Sequence, residues 1–360
     1  MTLILFISLI SLLSNIFSLF LKLFIFKNAP FLENKIEKSL IETELTIIIP
    51  TFNEENNIAK CLEALSKIKM PCKSLRILVV DDSSIDKTFS IAKNYISKFS
   101  RKNINLEVIP SGSRPNGENW VGKNWPCYIG SQKVSSKWLL FIDADVEVGS
   151  DCIFNALFES ESECIDLLSL APKVNCNCLA EWIVQPIMTS LLTIGFPISK
   201  TNNPENETSF AAGPFMLFKS DSYLKIGGHK GTFDQVVEDL ALAKKIKSFN
   251  LKLKFLIAIK DISLNMYSNF NSLLEGWSKN WFLGLDRNIF KSISASGYVL
   301  LTFSTPWLLL FFALSSLALN NFNIVLIKIL IISLLAIISY AYKRYWLYVN
   351  FKIPMNYWFL

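Results

Sequence analysis

The chain has 360 residues, 51% of them hydrophobic, with a mean hydropathy of +0.35 and a formal charge of +6, enough for one α/β domain of roughly 200 residues plus membrane segments. The hydrophobic excess is high for a purely soluble protein and gathers at the two ends, which points to membrane spans rather than to an oversized core. The modest positive charge is spread out, so it speaks against nucleic acid as a partner and for a surface facing anionic lipid headgroups.

Residues 1–26 form the first element. Thr2 to Phe26 is apolar apart from Ser, Asn15 and Lys22, and about 25 residues at helical rise exceed the roughly 30 Å of hydrocarbon. No basic residue precedes the run and no small-x-small site follows it, so the pattern predicts an uncleaved anchor rather than a signal peptide. A linker over residues 27–43 carries Lys27, Lys35 and Lys38.

From residue 44 to residue 264 strands and helices alternate. Leu45 to Ile49, ending at Pro50, reads as a buried parallel strand, and Asn53 to Leu65 as the helix that follows. Leu75 to Val80 is a second strand, ending in Asp81-Asp82-Ser83-Ser84, with Asp86 set to cap the next helix. Leu106 to Ile109 is a third strand. Trp138 to Ile142 is a fourth, ending in Asp143-Ala144-Asp145. The order predicts an open, mostly parallel sheet with right-handed crossovers. Ligands in such sheets sit beyond the carboxyl ends of the strands, so Pro50-Thr51, Asp81-Asp82 and Asp143-Asp145 belong to one site.

Seven cysteines show no paired metal spacing, and Cys176 and Cys178 make only a C-x-C. That points to reduced thiols in a cytoplasmic domain rather than to a disulfide framework or a zinc site. Leu179 to Ile198 is apolar but broken by Glu181, Gln185, Pro186 and Pro197. It reads either as a helix lying on the membrane or as a core helix. Residues 265–296 suggest an interfacial amphipathic segment. Residues 297–342 suggest a transmembrane hairpin, with Gly297 to Leu319 and Ile324 to Tyr342 split by Asn320 to Asn323. Residues 343–360 form a Trp- and Tyr-rich interfacial tail. Basic flanks at Lys279, Arg287, Lys291, Lys343 and Arg344, with those after the first anchor, place the domain between them in the cytoplasm.

Two carboxylates at alternate positions after a buried strand, Asp143 and Asp145, suit Mg²⁺ or Mn²⁺ held together with substrate phosphates, although a lone D-x-D also occurs in solvated turns. The Asp81-Asp82 carboxylates suit the edge of a nucleobase, or an ordinary turn. Glu238 and Asp239 open a helix, where acidic residues often only answer the helix dipole. The functional alternative makes Asp239 a general base toward an acceptor hydroxyl.

The ordered set I-I-P-T-F-N-E-E, V-V-D-D-S-S-I-D-K-T, F-I-D-A-D, G-G-H and V-E-D-L-A-L-A resembles the family 2 glycosyltransferases of the GT-A fold. Trp120-Val121-Gly122-Lys123-Asn124-Trp125 and the closing hairpin are similar to a membrane subgroup that includes hopanoid-associated and carotenoid-biosynthesis glycosyltransferases. The resemblance implies a GT-A domain between N-terminal and C-terminal transmembrane helices. It implies Pro50, Thr51 and Glu54 lining the nucleotide, Asp82 on the base, Asp143 near the ribose, Asp145 on the metal and Asp239 as base of an inverting transfer. The expected partners are a UDP- or GDP-sugar and a lipid-like acceptor hydroxyl (isoprenoid, hopanoid, carotenoid or glycerolipid). Lys123 either adds positive charge near the diphosphate or is an exposed loop lysine.

The chain departs from processive relatives in lacking Q-x-x-R-W. Trp277 and Lys279, in Leu274 to Trp281, either share that task or sit on an interfacial helix. With Glu238 and His229 they mark the expected acceptor region, although the single histidine reads first as a loop hydrogen-bonder. Two rival activities stay open: a polyprenyl-phosphate sugar synthase, and a non-catalytic nucleotide-binding membrane protein.

Overall fold

The computed structural model describes residues 1–27, 29–35, 40–267, 269–285, 287–319, 322–353 and 355, without the side chain of Lys279. Lys38, Asn320, Asn321 and the end of the aromatic tail lie outside the described residues. The chain forms two compact units. One comprises Ala29–Asn175 and Phe196–Met266, the other Met1–Asn28, Cys176–Gly195 and Tyr267–Leu360.

The first unit is an α/β domain of the GT-A type. Its strands in chain order are β1 (Ile41–Thr51), β2 (Cys72–Asp81), β3 (Asn105–Pro110), β4 (Trp138–Ile142), β5 (Val146–Val148), β6 (Leu167–Ala171), β7 (Lys173–Val174), β8 (Phe215–Lys219), β9 (Leu253–Ile257) and β10 (Ile262–Leu264). Seven of them form one sheet in the order β3-β2-β1-β4-β8-β6-β9, and β5-β10-β7 form a small second sheet. The large sheet is parallel except at β8, which runs antiparallel to both neighbours.

Period-2 alternation sorts the central strands onto two faces. Leu45, Ile47 and Ile49 pack with Ile58, Cys61, Leu62 and Leu65 of helix Ile58–Ser66. Ile48, Leu78, Val80 and Phe141 pack with Cys127, Leu242, Ala243 and Ile246 on the other side. Burial on both faces explains why β1 reads as an unbroken apolar run. Gly130 lets helix Asn124–Ser131 approach closely: a Cβ there would stand 2.9 Å from Ile48 Cγ2 and 3.1 Å from Val80 Cγ2.

Register positions the site. Thr51 pairs with Asp81 and Asp81 with Pro110, so β1, β2 and β3 end together. Ile48 pairs with Phe141, which carries Pro50 toward Asp143 at the same edge. Because β8 is antiparallel and pairs Phe215 with Ile142, it begins where β4 ends, and Gly213 is delivered beside the aspartates.

The helix after β1 begins at Ile58, not at Asn53. Asn53 has a left-handed φ of 55°. The backbone N–H groups of Glu54 and Glu55 donate to Thr88 Oγ1 (2.7 Å) and Asp86 Oδ2 (3.1 Å) of the next loop. Tertiary bonds thus satisfy N–H groups that a first helical turn would leave without an intrahelical partner, and they hold the segment as a loop.

The second unit is helical. Thr2–Lys27, Ile289–Ala318 and Ile324–Phe351 are long and apolar enough to cross a membrane, with mean hydropathies of 2.4, 1.7 and 2.7. Helices Leu179–Gly195 and Phe270–Gly284 complete it. Two prolines interrupt the backbone ladder, and side chains from other helices repair it. Pro186 leaves the carbonyl of Trp182 without its helical donor, and Arg344 Nη2 donates to it at 3.3 Å. Near Pro306 the helix widens into a π-turn over Leu300–Ser304. There Asn15 Nδ2 donates to Thr302 O at 3.0 Å and Ser11 Oγ to Leu301 O at 2.8 Å.

Candidate active site

The carboxyl edge of the sheet forms a cleft of about 940 Å³. Its wall includes Pro50, Thr51, Glu54, Asp82, Lys123, Asp143 and Asp145, seven residues drawn from four separate stretches of the chain.

The loops after β1 and β2 hold each other. Asn53 N donates to Ser84 Oγ at 2.9 Å, Ile85 N to Asn53 Oδ1 at 3.0 Å, and Asp82 N to Thr51 O at 2.8 Å. Buried Asp81 turns inward, its Oδ2 accepting from Ser84 N at 3.1 Å, which leaves Asp82 facing the cleft. Asn57 Nδ2 donates to Glu54 Oε2 at 2.8 Å. Burial pushes the Glu54 carboxyl upward, and the charges of Asp143 and Asp86 add to that.

Both oxygens of Asp82 are engaged, by Ser111 Oγ at 2.7 Å and by Arg114 Nη2 at 2.6 Å. Arg114 also donates to the carbonyls of Trp120 (3.0 Å) and Gly122 (3.2 Å), so one guanidinium ties the nucleobase candidate to the loop that carries Lys123. The sequence reading missed Arg114. The signal available was the turn-rich Ser111-Gly112-Ser113-Arg114-Pro115 immediately after β3, at the edge where ligands sit.

Trp120 and Trp125 do not enter the cleft wall. They pack against one another edge to face, with centroids 5.0 Å apart, and against Tyr128 and Phe233. Val121 N donates to Phe233 O at 2.9 Å and Asn124 Nδ2 to Gln235 O at 2.8 Å. This loop is therefore fastened to the segment that enters helix Glu238–Ser248.

Lys123 is the hinge of the charge arrangement. Its Nζ lies 2.5 Å from Asp143 Oδ1 and 3.2 Å from Glu238 Oε1. Burial opposes its charge, but Asp143 and Glu238 win and hold it well above the usual lysine range. The exposed-loop alternative for Lys123 does not describe this residue, whose side chain is 28% exposed.

Asp239 is held by two backbone donors: Gly213 N to Oδ2 at 2.9 Å and Leu240 N to Oδ1 at 2.7 Å. Burial, and then the charge of Glu238, push its carboxyl up to about 7 against the pull of Lys123. Asp145 is likewise pushed up to about 7 by burial, then by Asp143 and Glu54. A Cβ on Gly213 would stand 3.1 Å from Lys123 Nζ and 3.2 Å from Asp239 Oδ2, a tight approach that would press on both charged ends.

The acceptor-region residues divide. Glu238 joins the site through Lys123. His229 is 1% exposed, its Nδ1 2.8 Å from Tyr223 Oη and its ring edge-on to Phe141. Burial holds the imidazole down at about 3, so it is a neutral core hydrogen-bonder with no face for an acceptor. Trp277 lies on helix Phe270–Gly284 of the membrane unit. The side chain of Lys279, on the same helix, lies outside the described residues.

Comparison with known proteins adds to this geometry. The family model for glycosyl transferase family 2 matches residues 46–227. The chain is 28% identical over 244 residues to a 4,4'-diaponeurosporenoate glycosyltransferase of Staphylococcus haemolyticus, covering 67% of this chain and 61% of that protein. A protein of the same name from Staphylococcus aureus matches at 28% over the same length. The chain thus spans less than two thirds of these curated relatives. A solved mannosyltransferase from Pyrobaculum calidifontis, in complex with GDP-Man and Mn²⁺, superposes with a TM-score of 0.53 at 17% identity over 95% of this chain and 99% of that one, a likeness of fold.

Proposed function

We propose, from the premise that this chain belongs to glycosyl transferase family 2, that it moves a sugar from a nucleoside-diphosphate sugar to a hydroxyl of a lipid-like acceptor of carotenoid type, with inversion and with a divalent cation. The observation that carries the reading is the cleft itself: strand-end carboxylates, an aspartate braced by Arg114 and a lysine meet where an α/β sheet binds ligands.

The donor set suits Mg²⁺ or Mn²⁺. Among the described residues no three metal-ligating side chains gather, so a cation here would rest on Asp145, assisted by Asp143, and on oxygens of the substrate diphosphate. The raised carboxyl of Asp145, crowded by Asp143 and Glu54, is a site that a cation would relieve. When bound, the cation supplies neutralisation of the charge that develops on the leaving diphosphate.

The protein's own residues do the rest. Asp82, steadied by Arg114, offers acceptors to the imide or amide edge of the base. Lys123 adds a fixed positive charge near the reacting end and links the donor side, at Asp143, to the acceptor side, at Glu238. Asp239, oriented by the N–H groups of Gly213 and Leu240, takes the acceptor's proton. A carboxyl raised toward neutral pH is a stronger base than an ordinary aspartate, which suits general-base catalysis.

The name of the staphylococcal relatives supports an acceptor of carotenoid type. Three apolar helices and their basic flanks support a membrane protein with its catalytic domain on the cytoplasmic side. The test is to incubate the purified full chain with UDP- and GDP-sugars, with Mn²⁺ or with EDTA, and assay nucleoside diphosphate release. Release from at least one donor that EDTA abolishes supports the reading. Release from none, or release indifferent to EDTA, overturns the metal-dependent transfer.

A further inference from the structure

Among the described residues that line the cleft, the basic ones are Arg114 and Lys123, and the carboxylates are Glu54, Asp82, Asp143 and Asp145. Arg114 is engaged by Asp82. Lys123 is left to face the carboxylates of the cation side. Its Nζ lies 2.5 Å from Asp143 Oδ1 and 3.2 Å from Glu238 Oε1. The carboxylate that would assist a divalent cation thus already meets a positive charge built into the chain.

The loop that carries this ammonium is set from several sides. Gly122, immediately before it, turns the backbone with a left-handed φ of 56°. Arg114 donates to the carbonyls of Trp120 and Gly122, and Val121 N donates to Phe233 O. The guanidinium that steadies Asp82 therefore also holds the loop of Lys123, so the base side and the cation side share one brace. At the tip the space is narrow: a Cβ on Gly213 would stand 3.1 Å from Lys123 Nζ and 3.6 Å from Glu238 Oε1.

Two positive charges at one carboxylate repel, and they repel more strongly the less water lies between them. A divalent cation on Asp145 and Asp143 would meet the Lys123 ammonium as a like charge. Anionic oxygens placed between the two remove that repulsion, and a diphosphate carries such oxygens on both of its phosphates.

We infer that Lys123 occupies the place of the divalent cation's charge in the donor-free protein and makes cation binding conditional on the donor's diphosphate. Without a diphosphate, Lys123 neutralises Asp143 and disfavours a second positive charge there. With one, the ammonium donates to phosphate oxygens, and Asp143 is released to assist Asp145. Cation and nucleotide then raise one another's affinity by the same factor, as linkage requires. The inference rests on the sugar-transfer reading for the place of the cation, and it assigns Lys123 a gating role which that reading does not need.

The test is calorimetric titration of Mn²⁺ into the full chain in detergent, alone and with UDP, GDP, UMP or GMP, corrected for Mn²⁺ bound by free nucleotide. The wild type should bind Mn²⁺ at least about tenfold more tightly with UDP or GDP than alone, and the monophosphates should give little of that gain. Lys123→Met should bind Mn²⁺ alone about fivefold more tightly than the wild type and lose most of the gain from the diphosphate. A misfolded cleft would not produce such a tightening. Lys123→Arg, which keeps the charge, should keep the wild-type pattern. Equal Mn²⁺ affinity of the wild type with and without the diphosphates would overturn the gating, as would a methionine variant that binds Mn²⁺ like the wild type. An arginine variant that behaves like the methionine one would also overturn it. These results leave metal-dependent transfer standing, whereas a wild type that takes up no Mn²⁺ under any condition overturns both.

Discussion

In the sheet-bearing unit the charges drawn out of water at the cleft are carboxylates, and a dense lattice of loop hydrogen bonds and one lysine, Lys123, hold them in place. In the helical unit three buried cations, Lys22, Lys343 and Arg344, lie with a buried carboxylate, Glu181, and polar groups of the helices hold them, among them the Ser190 hydroxyl, the Asn15 amide oxygen, the Trp182 carbonyl and the Asn177 N–H. The contrast follows from the solvent on the far side. The cleft opens to water, so carboxylates there can be charged and wait for a cation and a diphosphate. Helices long and apolar enough to span a bilayer would face hydrocarbon there, where every freed carbonyl and every charge must find its partner within the bundle. The two prolines whose orphaned carbonyls are taken by Arg344 and Asn15 show that rule at work.

The sharpest way to break the comparison is at the cleft's cation side. Asp145→Ala should lower donor turnover by about 10³-fold, the size of several kcal/mol of lost leaving-group stabilisation, while the circular dichroism spectrum stays as in the wild type. A residual rate within tenfold of the wild type would mean that Asp145 does not serve the chemistry.

A smaller effect is expected where Arg114 braces Asp82. Charge-assisted hydrogen bonds contribute about 1.5–3 kcal/mol when buried, and the Arg114 side chain is 41% exposed. Arg114→Ala should therefore weaken nucleotide binding by only about three- to tenfold, with kcat moving less than KM. Calorimetry with UDP and with GDP reads the first, and a kcat loss larger than the KM change would place Arg114 in the reaction step instead.

The smallest effect contrasts packing in the two units. Gly130→Ala drives a methyl to within 2.9 Å of Ile48 and should cost about 1–3 kcal/mol, seen as a lower Tm in detergent. Gly297→Ala, in the membrane unit, meets nothing within 4 Å and gains helix propensity, so its Tm should hold or rise slightly. Equal losses in both variants would contradict the difference in packing.

What the sequence disclosed follows the same division. β1, β2 and β4 were legible because strands buried on both faces read as apolar runs, and their aspartates were legible because a parallel sheet collects its strand ends. β6, β9 and the small sheet were not anticipated, since their pairing joins segments far apart in the chain. The turn at Asn53 looked helical because the bonds from Glu54 and Glu55 to Thr88 and Asp86 are tertiary. Arg114 carries no motif of its own, and only the register of β3 against β2 brings it to Asp82. The burial of Lys22, Lys343 and Arg344 was least legible, because single Lys and Arg residues at span ends ordinarily reach for the interface. That Lys22 points inward depends on helix rotation, which the pattern leaves open.

The central claim, that Asp239 is the base of the transfer, is tested most directly by the pH dependence of sugar transfer at saturating Mn²⁺, in the wild type and in Asp239→Asn. A base acts in its deprotonated form, so with a carboxyl at about 7 the wild-type kcat/KM should be level above that pH and fall about tenfold per unit below it. Asp239→Asn should be slower by about 10²- to 10⁴-fold, with donor affinity unchanged and the acid limb gone. A variant that transfers sugar near the wild-type rate, or one that keeps the same acid limb, would contradict the account.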